Sequence, residues 1–107
     1  MKQLILDQYV GFEWDSANET KNANKHQVSC MECEQVFFNI PILLHEDTKH
    51  SMTEQRSYVL GQTDESRKLF MVFTRRKNLI RIISARDMNK KERNIYEKAK
   101  ENTEIYL

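Results

Sequence analysis

The chain has 107 residues, of which 39% are hydrophobic and 31% are charged, a composition typical of one soluble globular domain. Its apolar runs are shorter than the roughly 18 residues that cross a bilayer, and the N-terminus lacks the apolar segment of a signal peptide. Two cysteines exclude a disulfide-rich scaffold. We therefore expect residues 1–107 to form a single cytoplasmic domain without membrane association.

The net charge of +1 conceals an uneven distribution along the chain. Residues 1–54 carry four lysines against nine acidic residues, whereas residues 55–100 carry thirteen lysines and arginines against five acids. The second segment therefore has a net charge of +8, which favours an anionic ligand.

The first part of the chain predicts two short helices. Residues 1–11 form an N-terminal extension, interpreted as a strand or a docked arm. A polar helix begins near Asp15 and ends where the pattern breaks at 26–28. Ser29 and Glu32 have the spacing of a capping box and begin the second helix, so the pair forms an αα-hairpin. The apolar stripe of the second helix consists of Cys33, Val36 and Phe37.

After Pro41 the hydrophobic period changes from helical to alternating, which predicts strands. Short connections favour antiparallel pairing between neighbours. A last helix begins at Asn89, with Ile95, Tyr96 and Ala99 facing inward. The order predicts an α+β fold, with the hairpin and the C-terminal helix packed on one face of a four-stranded antiparallel sheet. The four predicted strands are 42–46, 56–63, 68–74 and 79–86.

Arginines on and beside the last two predicted strands are the unusual feature of the sequence. Arg81 interrupts an apolar strand, and an unpaired buried guanidinium is costly, so it must pair with an acid or face a ligand. Strict alternation places Arg81 and Arg86 on opposite sides of the sheet unless a bulge intervenes. Arg75 and Arg76 lie in the preceding turn. Pairing of some arginines with Glu54 or with acids of the hairpin is the structural alternative.

Arginines accompanied by His, Glu and Lys suit cleavage of an RNA phosphodiester without a metal. The 2′-OH attacks the adjacent phosphorus once its proton is removed, and guanidinium groups stabilise the charge that develops. His26 and Lys25 on the hairpin, and Glu54 before the second strand, are the candidates near the sugar and backbone.

Two metal-site alternatives are weaker. Cys30 and Cys33 match a C-x-x-C spacing, but no second pair completes a zinc site, and core packing on a helix explains the spacing. Loop polarity alone explains the second cluster, which contains His45, Glu46, Asp47, His50 and Glu54.

The sequence resembles the BrnT family over about residues 12–98. Several strings carry the resemblance in one order: Phe12-Glu13-Trp14-Asp15, Lys21-Asn22, Asn24-Lys25-His26-Gln27-Val28-Ser29, Val36-Phe37-Phe38-Asn39, Glu54-Gln55-Arg56, Gly61-Gln62-Thr63, Val72-Phe73-Thr74-Arg75-Arg76, Ile80-Arg81-Ile82-Ile83-Ser84-Ala85-Arg86, Glu92-Arg93 and Tyr96. The resemblance implies a RelE-like fold and a metal-independent endoribonuclease toxin that inhibits translation. It also implies a BrnA-type antitoxin that covers the toxin's site in a hetero-oligomer and contacts operator DNA, with no cofactor.

By position, the resemblance assigns two groups of site residues. Catalysis and charge stabilisation fall to His26, Glu54, Arg76, Arg81 and Arg86. Contacts to RNA fall to Lys25, Arg56, Trp14 and Tyr58. An inactive RelE-like module that binds RNA or protein shares the same basic surface and is the alternative function.

One departure from the family pattern concerns Gln27, where the family usually has glycine. A glycine there suits a left-handed stop of the first helix. Glutamine adopts that conformation at a cost of roughly 1 kcal/mol.

Overall fold

The computed structural model describes residues 11–15, 26–47 and 55–105, which form a mixed sheet of five strands and two helices. The sheet order is β1-β5-β4-β3-β2, with β1 parallel to β5 and the other neighbours antiparallel. The elements are β1 (Gly11–Phe12), α1 (Cys30–Val36), β2 (Leu43–Asp47), β3 (Arg56–Gln62), β4 (Lys68–Arg76), β5 (Leu79–Asp87) and α2 (Lys90–Ile105).

The predicted four-stranded antiparallel sheet is therefore incomplete. The four predicted strands are present and antiparallel, but β1 adds a fifth at the edge of β5 and makes the sheet mixed. The amide of Glu13 continues this pairing by donating to the carbonyl of Ile80. Two residues are too few to produce an alternating pattern, so the sequence placed Gly11 in the N-terminal extension and predicted no strand at Phe12.

Only the second half of the predicted hairpin can be compared with the structure, because residues 16–25 lie outside the described residues. Helix α1 has the predicted capping box: the Ser29 hydroxyl accepts from the amide of Glu32, whose carboxylate accepts from the amide of Ser29. Its apolar stripe is buried, as expected, with Val36 pressed against Gly61 of β3.

A bulge in β5 sets which side chains share a face of the sheet. Val72 pairs with Ser84 whereas Phe73 pairs with Ile82, so Ile83 is the extra residue. Directly paired residues lie on the same face. One face therefore carries the buried partners of α1, including Val59, Met71, Phe73, Ile82 and Ala85.

Helix α2 packs on the opposite face from α1, not on the same one as predicted. Its Glu92 pairs with Arg86, and its Glu97 approaches Lys68, both on the face that does not contact α1. Asn89 begins the helix as predicted, since its side chain accepts from the amide of Glu92. Hydrophobic periodicity fixes which side of a helix is apolar but not which face of the sheet receives it.

The residues of α2 that were predicted to face inward are buried to different extents. Tyr96 is fully buried and its hydroxyl donates to the carbonyl of Pro41. Burial raises the pKa of this phenol. Ile95 is 47% exposed but lines a cavity between α2 and the sheet, so it faces inward as predicted without being fully buried. Within the described residues, no helix is long and apolar enough to span a membrane.

Candidate functional site

Four arginines lie on the sheet face opposite α1, which we call the arginine face: Arg56, Arg76, Arg81 and Arg86. Thr74 pairs with Arg56 on one side and with Arg81 on the other, so these two arginines flank one buried threonine. Their Cα atoms are two strand spacings apart, about 10 Å. The bulge at Ile83 brings Arg86 onto the same face, which strict alternation would not do.

Acidic residues contact three members of this face. Asp15 pairs with Arg81 at 2.8 Å, whereas Glu13 is 3.9 Å from the Nε of Arg76, too far for a hydrogen bond. Both acids follow β1, so the unpredicted strand delivers them to the edge of the arginine face. Carboxylates thus contact three of the four arginines on this face.

Arg86 makes the strongest of these pairs. Its two terminal nitrogens donate to the two oxygens of Glu92 at 2.8 and 3.0 Å, and its guanidinium lies 4.2 Å from the centroid of the Phe70 ring. The hydrogen bonds from Arg86 lower the pKa of Glu92, which in turn raises the pKa of Arg86. Arg86 is thus held in one orientation at the border between the sheet and α2.

An apolar cavity of about 390 Å³ opens on the arginine face beside this ion pair. Tyr58 lies in its wall, with the His45 ring stacked against it at 6.3 Å and 11° and the Phe70 ring tilted at 5.6 Å. The full lining comprises Leu43, Leu44, His45, Tyr58, Leu60, Phe70, Glu92 and Ile95.

His45 is a site residue that the sequence analysis considered only as a metal ligand. It pairs with Tyr58 in the sheet and is exposed on the arginine face, one row of side chains from Arg56. The signal was available, because alternation along β2 places Leu43 and His45 on one side. The pairing register of β2 with β3, which the sequence did not reveal, was also needed.

Two predicted site residues lie away from the arginine face. Trp14 packs against the core that α1 covers, and its indole donates to Glu34 of α1 at 2.8 Å. His26 lies just before α1, where its carbonyl accepts a hydrogen bond from Arg67. Lys25 and Glu54 lie outside the described residues. The structure thus brings together Arg56, Tyr58, Arg76, Arg81 and Arg86.

Arg67 is a structural centre that no sequence pattern indicated. It donates to Asp87 through two nitrogens, to Glu32 of α1 and to the carbonyls of His26 and Gln27. The hydrogen bonds from Arg67 lower the pKa of Asp87, and the pKa of Arg67 is raised. Its partners are 20 to 41 residues distant in sequence, so no local motif reveals them.

Of the two cysteines, Cys33 packs in the core as expected. Both thiols are free, Cys33 is fully buried, and burial raises its pKa to about 12. A thiol with so high a pKa is a poor metal ligand and a poor nucleophile. Across residues 11–15, 26–47 and 55–105, no three His, Cys, Asp or Glu side chains gather as a metal site.

Comparison with known proteins agrees with the resemblance read from the sequence. Residues 14–92 match the family described as ribonuclease toxin, BrnT, of type II toxin–antitoxin system. None of the curated proteins compared with the chain matches it. Because the matched segment spans well over half of the 107 residues, the chain belongs to the BrnT family of ribonuclease toxins from type II toxin–antitoxin systems.

Proposed function

We propose that this chain is a metal-independent endoribonuclease whose arginine face binds and cleaves RNA. The observation that carries the proposal is the bulge at Ile83, which puts Arg81 and Arg86 on the same face as Arg56 and Arg76. Guanidinium groups clamp phosphate oxygens in pairs and stabilise a charge-rich transition state. A phosphate between Arg56 and Arg81 lies within reach of both side chains.

The reaction that fits this face is attack by the 2′-oxygen on the adjacent phosphorus. A base removes the 2′-proton, the new bond to phosphorus forms, and the bond to the 5′-oxygen breaks as that oxygen gains a proton. The products are a 2′,3′-cyclic phosphate and a free 5′-hydroxyl. Arg56, Arg76 and Arg81 supply the positive charge that a metal ion supplies in other nucleases.

Among the residues that the structure describes, we propose His45 as the group that transfers the proton. It is exposed on the arginine face, whereas His26 lies on the side of the sheet that α1 covers. Glu54, two residues before β3 in sequence, is the second group proposed for this step. Lys25 is proposed to contact the RNA backbone.

The antitoxin of this proposal is a BrnA-type protein that covers the arginine face and competes with RNA for it. Toxin and antitoxin form a hetero-oligomer in the cytoplasm, free toxin inhibits translation, and operator DNA is contacted only through the antitoxin. Carboxylates of the antitoxin are the expected partners of Arg56 and Arg76, because like phosphates they accept paired hydrogen bonds.

The direct test is cleavage of a single-stranded RNA in EDTA, with product ends analysed by mass spectrometry. We expect cleavage to survive EDTA, to yield 2′,3′-cyclic phosphate ends, and to stop when the 2′-OH groups are methylated. Loss of cleavage in EDTA with recovery by added Mg²⁺ contradicts the mechanism.

A catalytically inactive binding module is the second candidate function. The observation in its favour is that Asp15 and Glu92 already engage Arg81 and Arg86. Purified protein that binds RNA but cleaves none, under conditions in which expression does not arrest growth, favours this alternative.

A further inference from the structure

The cavity beside Arg86 has the chemistry of a base-binding pocket. Its walls are mainly leucine side chains and aromatic rings, and its acidic lining residue, Glu92, pairs with Arg86. Pockets for small ligands have this composition, mostly apolar with a few fixed polar groups. The volume of about 390 Å³ lies within the usual range for such sites.

Three aromatic rings line the cavity, those of His45, Tyr58 and Phe70. Tyr58 and Phe70 lie at 5.6 Å with a 38° tilt, so the two rings diverge rather than cover each other. His45 is stacked on Tyr58 and is exposed to solvent. Single-stranded RNA is recognised through unstacked bases that insert against such aromatic side chains.

The cavity is continuous with the arginine face. Along β3, Tyr58 is two residues from Arg56 and Leu60 is two residues further, so each step along the face is about 7 Å. A phosphate held between Arg56 and Arg81 is therefore adjacent to the row that contains Tyr58 and His45. An RNA strand lying along the face brings one of its bases to the cavity.

From this placement we propose that the cavity of Tyr58, Leu60, Phe70 and Ile95 binds one unstacked nucleobase of the RNA substrate. The proposal rests on the proposed function, since the base arrives with the RNA that the arginine face holds. Glu92 lines the cavity and is held by Arg86, so it acts as the positioning residue that offers an acceptor to the edge of the base. The cavity thereby makes recognition depend on the base and not only on the phosphates.

The test is a binding scan with a single-stranded heptaribonucleotide methylated at every 2′-OH, in which an abasic nucleotide replaces each position in turn. For the wild-type protein we expect one position at which the abasic change weakens binding roughly tenfold or more, from the energy of one base–aromatic stack. Tyr58→Leu should bind the unaltered RNA about as weakly as wild type binds the abasic one. The affinity of this variant should then be the same for the unaltered RNA and for the RNA that is abasic at that position.

Three further variants make the outcome interpretable. Tyr58→Phe keeps the ring and should retain the abasic effect, while Phe38→Leu makes a similar change at an exposed ring outside the cavity and should leave the scan unchanged. Ile95 lines the cavity and is 47% exposed, so Ile95→Trp should fill the cavity without disturbing the core. It provides a second reading if Tyr58→Leu does not fold.

Two results overturn the base pocket. One is a scan in which no position distinguishes wild type from both Tyr58→Leu and Ile95→Trp. The other is a loss of antitoxin affinity in these variants with an unchanged RNA scan, which assigns the cavity to the antitoxin. Neither result removes the proposed function, because cleavage that depends on Arg81 is measured separately. Conversely, an Arg81 variant with full cleavage sinks the proposed function but leaves the scan readable.

Discussion

Gln27 occupies a left-handed backbone conformation, with φ of 55°, before the capping box of α1. A residue with a Cβ pays about 1 kcal/mol or more for this conformation, and glycine does not. We expect Gln27→Gly to raise the free energy of unfolding by about 1 kcal/mol, near 5 °C in melting temperature. Arg67 binds Gln27 through the backbone carbonyl of that residue, so the glycine variant retains this hydrogen bond. Thermal unfolding measures the effect, and a glycine variant that is less stable contradicts the assigned conformation.

Gly61 reports on the contact between β3 and α1. A Cβ at this position would lie 2.4 Å from the Cγ1 of Val36, closer than any real contact. Gly61→Ala should therefore destabilise the fold by about 2 kcal/mol. The double variant with Val36→Ala should lose less stability than the two single changes added together, because the smaller side chain makes room. Strict additivity in denaturant unfolding argues against this contact.

At the scale of elements, Arg67 joins the start of α1 to the end of β5 and should make the stability of the fold depend on pH. Burial opposes ionisation of Glu32, but hydrogen bonds from Ser29 and Arg67 lower its pKa overall, and Arg67 lowers that of Asp87. Near the ordinary pKa values of 4.5 for Glu32 and 3.8 for Asp87, the unfolded chain therefore binds more protons than the folded protein. Stability is lost as the pH falls through this range.

We expect stability to decline between about pH 5 and pH 3, and Arg67→Met to be both less stable and less sensitive to pH in that range. Urea unfolding at several pH values measures both effects. Arg75→Met is the control, because Arg75 is exposed near the end of β4 and does not contribute to the lowered pKa of Glu32 or Asp87. An equal slope for Arg67→Met and wild type contradicts the linkage.

The elements themselves were largely predictable from sequence, because alternation and capping chemistry are local. The capping boxes at Ser29 and Asn89 and the four antiparallel strands follow from residues a few positions apart. Strand β1 was not predictable, since two residues carry no period. The face chosen by α2 was not predictable either, because it depends on contacts such as Arg86–Glu92 that form only after the sheet exists.

The candidate site was predicted in part for the same reason. The arginines were identified by residue type, but their common face depends on one bulge residue, Ile83, which sequence patterns do not reveal. His26 and Trp14 were grouped with them by family position, and the fold separates them from this face. His45 became a candidate only through its register opposite Tyr58.

For the whole molecule, the uneven charge predicts that RNA binding depends strongly on salt. Binding to single-stranded RNA releases counterions, and each phosphate contact adds about 0.7 to the slope of log affinity against log salt. Arg56→Gln should reduce the slope by about that amount. Arg75→Gln should not, because Arg75 pairs with the buried Ile80 and so belongs to the opposite face. Equal slopes for both variants indicate that RNA does not distinguish the two faces.

The most direct measurement is the rate of RNA cleavage in EDTA by Arg81→Gln and by Arg75→Gln. The two variants remove the same charge from neighbouring strands on opposite faces of the sheet. The account predicts roughly a hundredfold slower cleavage for Arg81→Gln, the usual loss when a transition-state donor is removed, and a rate near wild type for Arg75→Gln. Wild-type cleavage by a folded Arg81→Gln protein, or equal losses in both variants, would contradict it.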